Sequence, residues 1–389
     1  MQTEQIARRP AAAVKRNKRI VFLQKGKMDL TFLFFILVLL TTGLVMLFSA
    51  SAPYAEINRG NSYYFITRQL IFAVAGLVIM LGVSRINYKL YKKIAWILYA
   101  VSVGLLVLVK VLPYNVNPNA KRWIAIGGFS FQPSEIAKFA VILLFAYLIA
   151  KNYEKMKTFK FGILFLGLLL ALVCGLVVIE PHLSATVLIF IIGVSMMIVG
   201  GIKARYVALG AGVAVGGFAI AMMAGAGYWA ERFSSWLDPW SDPLSAGYQT
   251  IQSLLAIGSG GIMGRGLGES TQKYLWLPEP QNDFIFSIVC EELGLIGALL
   301  IITAFGLLVW RGFVIAMRTR DKFGSLLAIG LTLQVGLQAV LNILVVTNTV
   351  PNTGISLPFF SYGGTSLLML MAQMGIILSI SRQSNLQKT

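Results

Sequence analysis

The sequence predicts an all-α polytopic membrane protein, and three features of its composition lead to this prediction. Hydrophobic residues make up 57% of the 389 positions, whereas Asp, Glu, Lys and Arg together make up only 12%. Soluble domains usually carry about one quarter charged residues. The mean hydropathy of +0.77 agrees with this deficit. A soluble enzyme, a disordered chain and a nucleic-acid-binding domain are therefore excluded.

Ten apolar segments are long enough to cross a hydrocarbon core of roughly 30 Å, which takes about 20 helical residues. We therefore predict ten transmembrane helices, at residues 30–50, 69–84, 94–112, 135–150, 162–179, 184–201, 207–227, 284–310, 325–347 and 364–380. We expect them to form one membrane domain, 29–381, between a basic cytoplasmic N-terminal tail, 1–28, and a short cytoplasmic tail, 382–389.

The distribution of basic residues predicts the orientation of these helices. A net charge of +18 is by itself also compatible with a nucleic-acid partner. With the N-terminus inside, however, most of the 33 Lys and Arg residues fall in the tails and the inner loops, as the positive-inside rule requires. We expect both termini to be cytoplasmic, and we interpret the charge as a topology signal, with no nucleic-acid partner.

Acidic residues concentrate on the outer side of this topology. The loop between the seventh and eighth predicted helices, residues 228–283, is far longer than 12–15 residues, and loops of that length are usually functional or disordered. The acids of this loop and of the helix start that follows it are Glu231, Asp238, Asp242, Glu269, Glu279, Asp283, Glu291 and Glu292. We therefore expect the functional site on the extracytoplasmic face.

Asp283 stands where this loop re-enters the membrane. A carboxylate at a helix N-terminus is stabilised by the helix dipole, so position alone leaves open whether Asp283 caps a helix or is a functional acid. Glu291 and Glu292 lie about 12 Å deeper at 1.5 Å per residue, where an acid is costly and functional by default. Helical spacing puts Glu291 on the Asp283 side, whereas Glu292 points away and is better explained as a tie between helices.

A second polar cluster precedes the fourth predicted helix. Glu135 and Lys138 are three residues apart and share a helix face, so they can neutralise each other. Lys138 can equally neutralise a loop carboxylate such as Asp283, and the sequence does not choose between these partners.

Lys121 and Arg122 lie next to Trp123, upstream of this helix. Cations in such a position are suited to meet lipid phosphates, although plain anchoring at the membrane interface explains them equally well.

Two further sequence features argue against a multi-histidine metal site and against a phosphate loop. His182, the one histidine of the chain, cannot build a multi-histidine metal site, and no convincing nucleophile accompanies it. We interpret it as a polar turn residue. The glycine-dense run 258–268 lacks the Lys-Ser/Thr ending of a phosphate loop, and we interpret it as a re-entrant turn whose bare backbone can approach a ligand.

Over nearly the whole chain after residue 28, these segments resemble the SEDS family (shape, elongation, division and sporulation). The matching strings are KRWI at 121–124, QPSE at 132–135, Lys138, DP at 238–239, GYQ at 247–249, QS at 252–253, SGG at 259–261, GLG at 266–268, LPE at 277–279, DF at 283–284, EELG at 291–294, LPF at 357–359 and SYGG at 361–364. Each string is weak alone, but their order and spacing are specific. The string FSASA at 48–52 is more similar to the FtsW and SpoVE branches than to RodA. Two strings depart from the family pattern: EPH at 180–182 replaces the common QPD, and TNT at 347–349 replaces a more usual TG.

The resemblance implies a peptidoglycan glycosyltransferase that polymerises lipid II, the undecaprenyl-pyrophosphate-linked disaccharide-pentapeptide, into glycan strands. It implies work beside a class B penicillin-binding transpeptidase and other divisome or sporulation proteins, in the cytoplasmic membrane of a bacterium. By the same resemblance, Asp283 matches the family's essential outer-loop acid.

Our hypothesis for the reaction is that Asp283 acts as general base on the acceptor 4-hydroxyl, which attacks the donor anomeric carbon with inversion. General-base assistance is typically worth about 10²–10⁴ in rate. The leaving pyrophosphate needs counter-charge, so we expect a divalent cation, Mg²⁺ or Mn²⁺, with ligands unknown. Candidate residues for binding substrate or pyrophosphate are Lys121, Arg122, Trp123, Arg232, Arg265, Lys273 and Ser361, and candidates for a supporting charge network are Glu135, Lys138 and Glu291.

Two alternatives remain. A lipid II flippase or another transporter would also have many spans and acids near the membrane, but the halves show no convincing repeat, and the acids crowd one face rather than the midplane. A non-catalytic scaffold that recruits the transpeptidase would leave the membrane-embedded acids unexplained.

Overall fold

The computed structural model of this protein describes residues 26–111, 122–126, 129–180, 182–203, 205–206, 210, 212 and 233–386. The α-helices with described bounds are α1 (Leu30–Arg59), α2 (Tyr64–Val83), α3 (Tyr91–Val111), α4 (Pro133–Lys151), α5 (Leu166–Ile179), α6 (Leu183–Val199), α7 (Tyr248–Gly260), α8 (Ile285–Arg318), α9 (Lys322–Val346) and α10 (Gly364–Leu386). A π-helix, Phe159–Phe165, runs into α5. A short antiparallel ribbon pairs β1 (Ile124–Ile126) with β2 (Phe129–Phe131).

Within these residues, eight helical segments are long and apolar enough to cross a membrane. They correspond to the predicted spans one to five and eight to ten, and α6 is a shorter apolar helix of 17 residues at the predicted sixth span. The predicted seventh span, 207–227, lies almost entirely outside the described residues. The total of ten spans and the cytoplasmic termini therefore stay predictions.

Helix α4 is the central helix of the bundle. Of its most apolar stretch 78% is buried, whereas α2, α3 and the α5 segment are only 22–28% buried. The exposed faces of the outer helices are apolar, as in Ile71, Val74 and Val78 of α2. Such faces are expected where helices meet lipid rather than water.

The start of α1 is tied to helices from the other end of the chain. Asp29 caps α1 by accepting a hydrogen bond from the backbone of Phe32 at 3.0 Å. The same carboxylate binds the guanidinium of Arg311 in α8, with an N–O distance of 2.8 Å. Its backbone N–H donates to Ser381 Oγ in α10. A half-buried, bidentate pair of this kind fixes three helices at the predicted inner face.

Helix α8 is interrupted near its first third. Gly294 has φ +66°, which breaks the regular helix, and the glycine-rich segment after α7 inserts at this point. The N–H groups of Arg265 and Gly266 donate to the carbonyls of Glu291 and Glu292, each at 3.0 Å. A side chain at Gly264 would collide with the Glu292 carbonyl. The bare backbone of this re-entrant turn therefore packs against α8, and its approach to a ligand stays a prediction.

Candidate active site

A cavity of about 780 Å³ opens where α4, α6, α8 and α10 begin. Its polar wall includes the ionisable side chains of Arg68, Arg122, Glu135, Lys138, His182, Glu279, Asp283 and Tyr362. Apolar side chains, among them Phe72 of α2 and Leu370 of α10, line the same cavity. A concave site with few convergent polar groups on an apolar wall is typical of ligand pockets, and this one suits an amphiphilic ligand.

Asp283 is half-buried in this wall, two residues before α8. Its backbone carbonyl accepts a hydrogen bond of 2.7 Å from Asn342 Nδ2 of α9. The same amide nitrogen donates to the carbonyl of Ile355 at 2.6 Å, and Asn342 is fully buried. Asn342 therefore fixes the backbone of Asp283 relative to the loop that follows α9.

A strap of residues 357–363 fixes the backbone immediately before Asp283. Ser361 Oγ donates to the carbonyl of Asn282 and accepts from the N–H of Leu357, both at 2.7 Å. The N–H of Tyr362 donates to the carbonyl of Gln281 at 2.9 Å. Ser361, a predicted substrate-binding residue, lies in the cavity wall, but its one hydroxyl proton is used to hold this segment.

Gly354 separates Asp283 from α6. Its φ of +71° is one that favours glycine. A Cβ built on Gly354 would lie 3.1 Å from Asp283 Oδ2 and 4.0 Å from Ser184 Oγ of α6. Both oxygens therefore lie within about 4 Å of the space that a side chain at Gly354 would occupy.

Lys138 is a buried cation in the cavity wall, and it forms an ion pair with Glu135. Its Nζ lies 2.7 Å from Glu135 Oε1 and 3.5 Å from Gln338 Oε1. Only 4% of the Lys138 side chain and 15% of the Glu135 side chain are exposed. Of the two partners that the sequence left open, the structure thus pairs Lys138 with Glu135.

Two arginines and a tryptophan contribute to the rim. Arg122 Nε donates to the backbone carbonyl of Glu180 at 3.4 Å, and Trp123 lies beside it in the wall. On the far side, the Arg68 guanidinium stacks on the ring of Tyr64 at 4.4 Å. The cavity wall therefore combines three cations, Arg68, Arg122 and Lys138, with the carboxylate of Asp283.

His182 lies in the cavity wall rather than in a plain surface turn. Its Nδ1 lies 3.2 Å from Gln132 Nε2 and 3.4 Å from Ser134 Oγ. Burial, together with the smaller effects of the positive charges of Arg122 and Lys138, lowers the pKa of His182 to about 3. The imidazole is consequently neutral at neutral pH.

Glu180 is buried behind the rim. Burial raises the pKa of Glu180 to about 8, against the opposing effect of Lys110 and Arg122. Among the described residues, neither of its carboxyl oxygens has a hydrogen-bond partner. A buried acid of this kind holds its proton at neutral pH.

Three predicted site residues lie elsewhere, at the re-entrant turn, where Lys273 and Glu291 are buried and Arg265 is exposed. Lys273 Nζ lies 2.9 Å from Glu292 Oε1, and Arg265 lies 3.7 Å from Glu291 Oε1. Ser49 of α1 also donates to Glu292 at 2.7 Å. The cavity wall does not include Arg265, Lys273 or Glu291. These residues instead form the ion pairs Lys273–Glu292 and Arg265–Glu291. The expectation that Glu292 ties helices together agrees with its contact to α1.

Two other candidates, Lys121 and Arg232, lie outside the described residues.

The sequence interpretation missed Asn342 and Gln69 and assigned His182 no role in a site. Gln69 of α2 is 1% exposed, donates to the carbonyl of Ser361 and accepts from the N–H of Gly363. Amides inside predicted apolar spans were the available signal, because unpaired polar groups are costly in a membrane.

The described residues do not offer a protein-held metal site. No group of three or more His, Cys, Asp or Glu side chains is close enough together among them to hold an ion. Glu135, an acid of the cavity wall, is paired with Lys138. Within the described residues, the donor set therefore does not form a site for Mg²⁺ or Mn²⁺, and the divalent cation stays a prediction.

Comparisons with known proteins agree over almost the full chain. A family model described as "Cell cycle protein", for FtsW, RodA and SpoVE, matches residues 30–386. Stage V sporulation protein E of Bacillus subtilis (strain 168) is 39% identical over 364 residues, covering 93% of this chain and 99% of the relative. A probable peptidoglycan glycosyltransferase FtsW of Trichlorobacter lovleyi is 38% identical over 356 residues, covering 91% and 93%.

Solved structures share the fold. A chain from a structure described as "Structural coordination of polymerization and crosslinking by a peptidoglycan synthase complex" has a TM-score of 0.73 and 29% identity, covering 92% of this chain and 98% of that one. The rod shape determining protein RodA of Thermus thermophilus has a TM-score of 0.68 and 26% identity, covering 92% and 97%.

Proposed function

We propose that this chain, which belongs to the FtsW/RodA/SpoVE family of cell cycle proteins, is a peptidoglycan glycosyltransferase that polymerises lipid II into glycan strands. The names of its FtsW relatives support this activity. The observation that carries the proposal is a half-buried carboxylate, Asp283, in a cavity that combines apolar helix surfaces with three cations. A lipid-linked, pyrophosphate-bearing sugar combines the same features.

In this proposal Asp283 is the general base. One carboxylate oxygen takes the proton from the 4-hydroxyl of the acceptor GlcNAc while that oxygen forms a bond to C1 of the donor MurNAc. The bond from C1 to the pyrophosphate oxygen breaks, its electron pair stays on undecaprenyl pyrophosphate, and C1 is inverted. Asn342 and Ser361 support this role because they fix the backbone on both sides of the carboxylate, and a displaced base loses much of its rate advantage.

The negative charge of the leaving group requires cations at the cavity. Arg122, Lys138 and Arg68 line it, and hydrogen bonds from cations to phosphate oxygens are strong in such sites. Lys121 and Arg232 remain proposed contributors, as does Trp123 for the substrate. A divalent cation stays a proposal that rests on the leaving group alone, and no step above depends on it.

We further propose that the enzyme lies in the bacterial cytoplasmic membrane with its cavity on the extracytoplasmic face. Polymerisation for division or sporulation, beside a class B penicillin-binding transpeptidase, is supported by the peptidoglycan synthase complex among its structural neighbours. The acids crowd one end of the bundle, at the side that we assign to the outside.

The purified full-length chain, incubated with lipid II in detergent and then in liposomes, tests this proposal. We expect glycan strands longer than a disaccharide repeat, with release of undecaprenyl pyrophosphate. Movement of labelled lipid II between leaflets without polymer would instead identify a flippase. Neither polymer nor movement, with co-purification of a transpeptidase, would identify a scaffold.

A further inference from the structure

The end of the bundle opposite the cavity lies a membrane's thickness away from it. Helix α4 begins in the cavity wall and ends at Lys151. Helix α9 runs the other way, from Lys322 towards Asn342, which holds the backbone of Asp283. With 19 residues at 1.5 Å each, α4 separates the two ends by about 28 Å, close to the thickness of a hydrocarbon core. The far end is therefore at the level of the headgroups of the other leaflet.

Three connections at this far end meet around Tyr153. This residue starts the short 3₁₀-helix Tyr153–Lys157 that follows α4. The Nζ atom of Lys322, at the start of α9, lies 3.8 Å from the centre of the Tyr153 ring. After α6, a Cβ built on Gly201 would lie 4.0 Å from Tyr153 Oη. The connections after α4, after α6 and before α9 thus form one surface around this ring.

That surface is strongly positive. Its exposed cations, which together form the basic surface, are Lys151, Lys155, Lys157, Lys203, Arg205 and Lys322. Within the described chain, none of them forms an ion pair with an acid. Glu154 lies among them, and the nearby Asp321 is already used, because it caps α9 and pairs with Lys92. The cations of the basic surface therefore outnumber the acids that could neutralise them.

Aromatic rings rather than carboxylates position two of these cations. Lys322 lies over the ring of Tyr153, and the guanidinium of Arg205 lies 4.8 Å from the ring centre of Tyr206. A ring contacts one side of a cation, so the remaining N–H donors stay available for an anion. Phosphate oxygens are strong acceptors for such donors.

An apolar strip continues from the basic surface along α5. The ring of Phe159 packs edge-on against Tyr206, with 5.7 Å between the ring centres. Phe159 begins the π-helix, whose i→i+5 spacing puts Leu164 on the same face, and α-helical spacing continues this face to Leu168. All three side chains are exposed. A row of exposed apolar side chains beside a group of cations matches an acyl chain beside its phosphate.

We propose that the basic surface and this apolar strip bind an anionic phospholipid of the leaflet opposite the cavity. The cations contact the headgroup phosphate, and an acyl chain lies along the strip. Basic clusters at the ends of transmembrane helices recognise anionic lipids in this way. The inference goes beyond the proposed function, because it concerns the other end of the molecule and no step of polymerisation. We favour a lipid over an acidic protein segment because such a segment would use the cations and leave the strip uncovered.

Titration of the full-length chain in detergent with phosphatidylglycerol, with bound lipid counted by native mass spectrometry, tests this site. Phosphatidylcholine, which is zwitterionic, is the comparison lipid, and we expect it to bind more weakly. The triple variant Lys155→Gln, Lys203→Gln and Lys322→Gln should bind phosphatidylglycerol with an affinity lower by about tenfold or more. Its affinity for phosphatidylcholine should be unchanged.

A second triple variant removes the same charge at the same end of the bundle. Arg85→Gln, Lys89→Gln and Lys93→Gln lie between α2 and the first turn of α3, away from Tyr153 along the chain. We expect this control to change the affinity for phosphatidylglycerol by less than about twofold, because its cations lie outside the basic surface. Equal losses in both triple variants would show that only the net charge matters and would overturn the proposed site.

Tyr153 tests the site without changing its charge. Tyr153→Leu removes the ring that positions Lys322, and a cation–ring contact at an exposed site corresponds to about twofold to fivefold in affinity. We therefore expect a loss of that size for phosphatidylglycerol. Tyr153→Phe keeps the ring and should bind as the wild type does. Equal affinities of the Leu and Phe variants would contradict the positioning of Lys322 by the ring.

A polyglutamate peptide represents the other occupant. Tighter binding of this peptide than of phosphatidylglycerol, lost in the first triple variant, would identify an acidic protein segment and overturn the lipid. Equal affinities of the wild type for phosphatidylglycerol and phosphatidylcholine would also overturn it. Polymerisation of lipid II in detergent should be the same in the wild type and in the first triple variant, since none of the three lysines lines the cavity. A failure of the proposed function is therefore distinguishable from a failure of this site.

Discussion

Asn342 donates its side-chain amide to the backbone carbonyl of Asp283 at 2.7 Å, and the same nitrogen reaches the carbonyl of Ile355 at 2.6 Å. One fully buried amide in α9 thus joins the segment that carries the proposed base to the loop on the other side of the cavity. The backbone of the proposed base is consequently held by α9, and its carboxylate lies in the cavity wall.

Replacing Asn342 with Ala removes the donor to two buried carbonyls. Since each buried acceptor without a partner costs about 1–3 kcal/mol, we expect a lower melting temperature and a clear fall in kcat. The KM for lipid II should change little, because Asn342 does not line the cavity. Asn58→Ala, which removes an exposed amide that donates to Tyr54, is the control and should leave both values unchanged. A rise in KM at constant kcat would contradict a positioning role.

Gly354→Ala should impair activity because the added methyl group would push against the carboxylate of the proposed base. The new Cβ would lie 3.1 Å from Asp283 Oδ2, in a backbone conformation with φ +71°. Gly60→Ala is a close match, because Gly60 has φ +65° but has no atom within 4 Å of its added Cβ. Both variants should lose about 1–2 kcal/mol of stability from the left-handed backbone. Only Gly354→Ala should lose polymerisation activity, by on the order of tenfold to a hundredfold. Equal losses of activity in both variants would contradict a specific effect on Asp283.

Lys273→Met should destabilise the protein without changing the cavity. The substitution leaves Glu292 buried without its cation, a change that typically costs about 3–5 kcal/mol. Adding Glu292→Gln should restore much of the melting temperature. Affinity for farnesyl pyrophosphate, measured on the folded fraction, should stay within about twofold of the wild type, which is a change of about 0.4 kcal/mol in binding free energy, because Lys273 does not line the cavity. A large loss of affinity would instead indicate that Lys273 binds the pyrophosphate.

Glu180→Gln should change how stability depends on pH. The folded-state pKa of Glu180 is about 8, above its ordinary 4.5, so the folded chain keeps a proton that the unfolded chain releases, and stability falls as pH rises between these values. His182, with its pKa lowered from 6.5 to about 3, has the opposite effect below pH 6.5. Between pH 6.5 and 8 we therefore expect a falling melting temperature in the wild type and a smaller fall in Glu180→Gln. Parallel curves would contradict a buried neutral acid.

Much of the fold was predictable from hydropathy. The eighth predicted span, 284–310, begins within one residue of α8 (Ile285–Arg318). The helix α7 (Tyr248–Gly260) was not expected inside the long outer loop, because it is too short for the periodicity of a span to reveal it. The insertion of the glycine-rich turn at Gly294 depends on backbone contacts that no local pattern specifies.

The site was predictable where charge and position coincide, as at Asp283, Arg122 and Lys138. It was not predictable where the partner is distant in sequence. Lys273 looked like a pyrophosphate ligand because it is an outer-loop cation, but Glu292 and Ser49 surround it in three dimensions. Asn342 and His182 carry no charge at neutral pH, and only their burial and neighbours give them a role.

The central claim is that the Asp283 carboxylate accepts the proton of the attacking hydroxyl, and the most direct measurement is the rate of lipid II polymerisation by Asp283→Asn. Asp242→Asn, in the same loop but exposed and outside the cavity wall, is the control. We expect Asp283→Asn to lose at least about 10²-fold in rate with lipid II binding retained, and Asp242→Asn to polymerise normally. A near-normal rate for Asp283→Asn would show that Asp283 is not the general base.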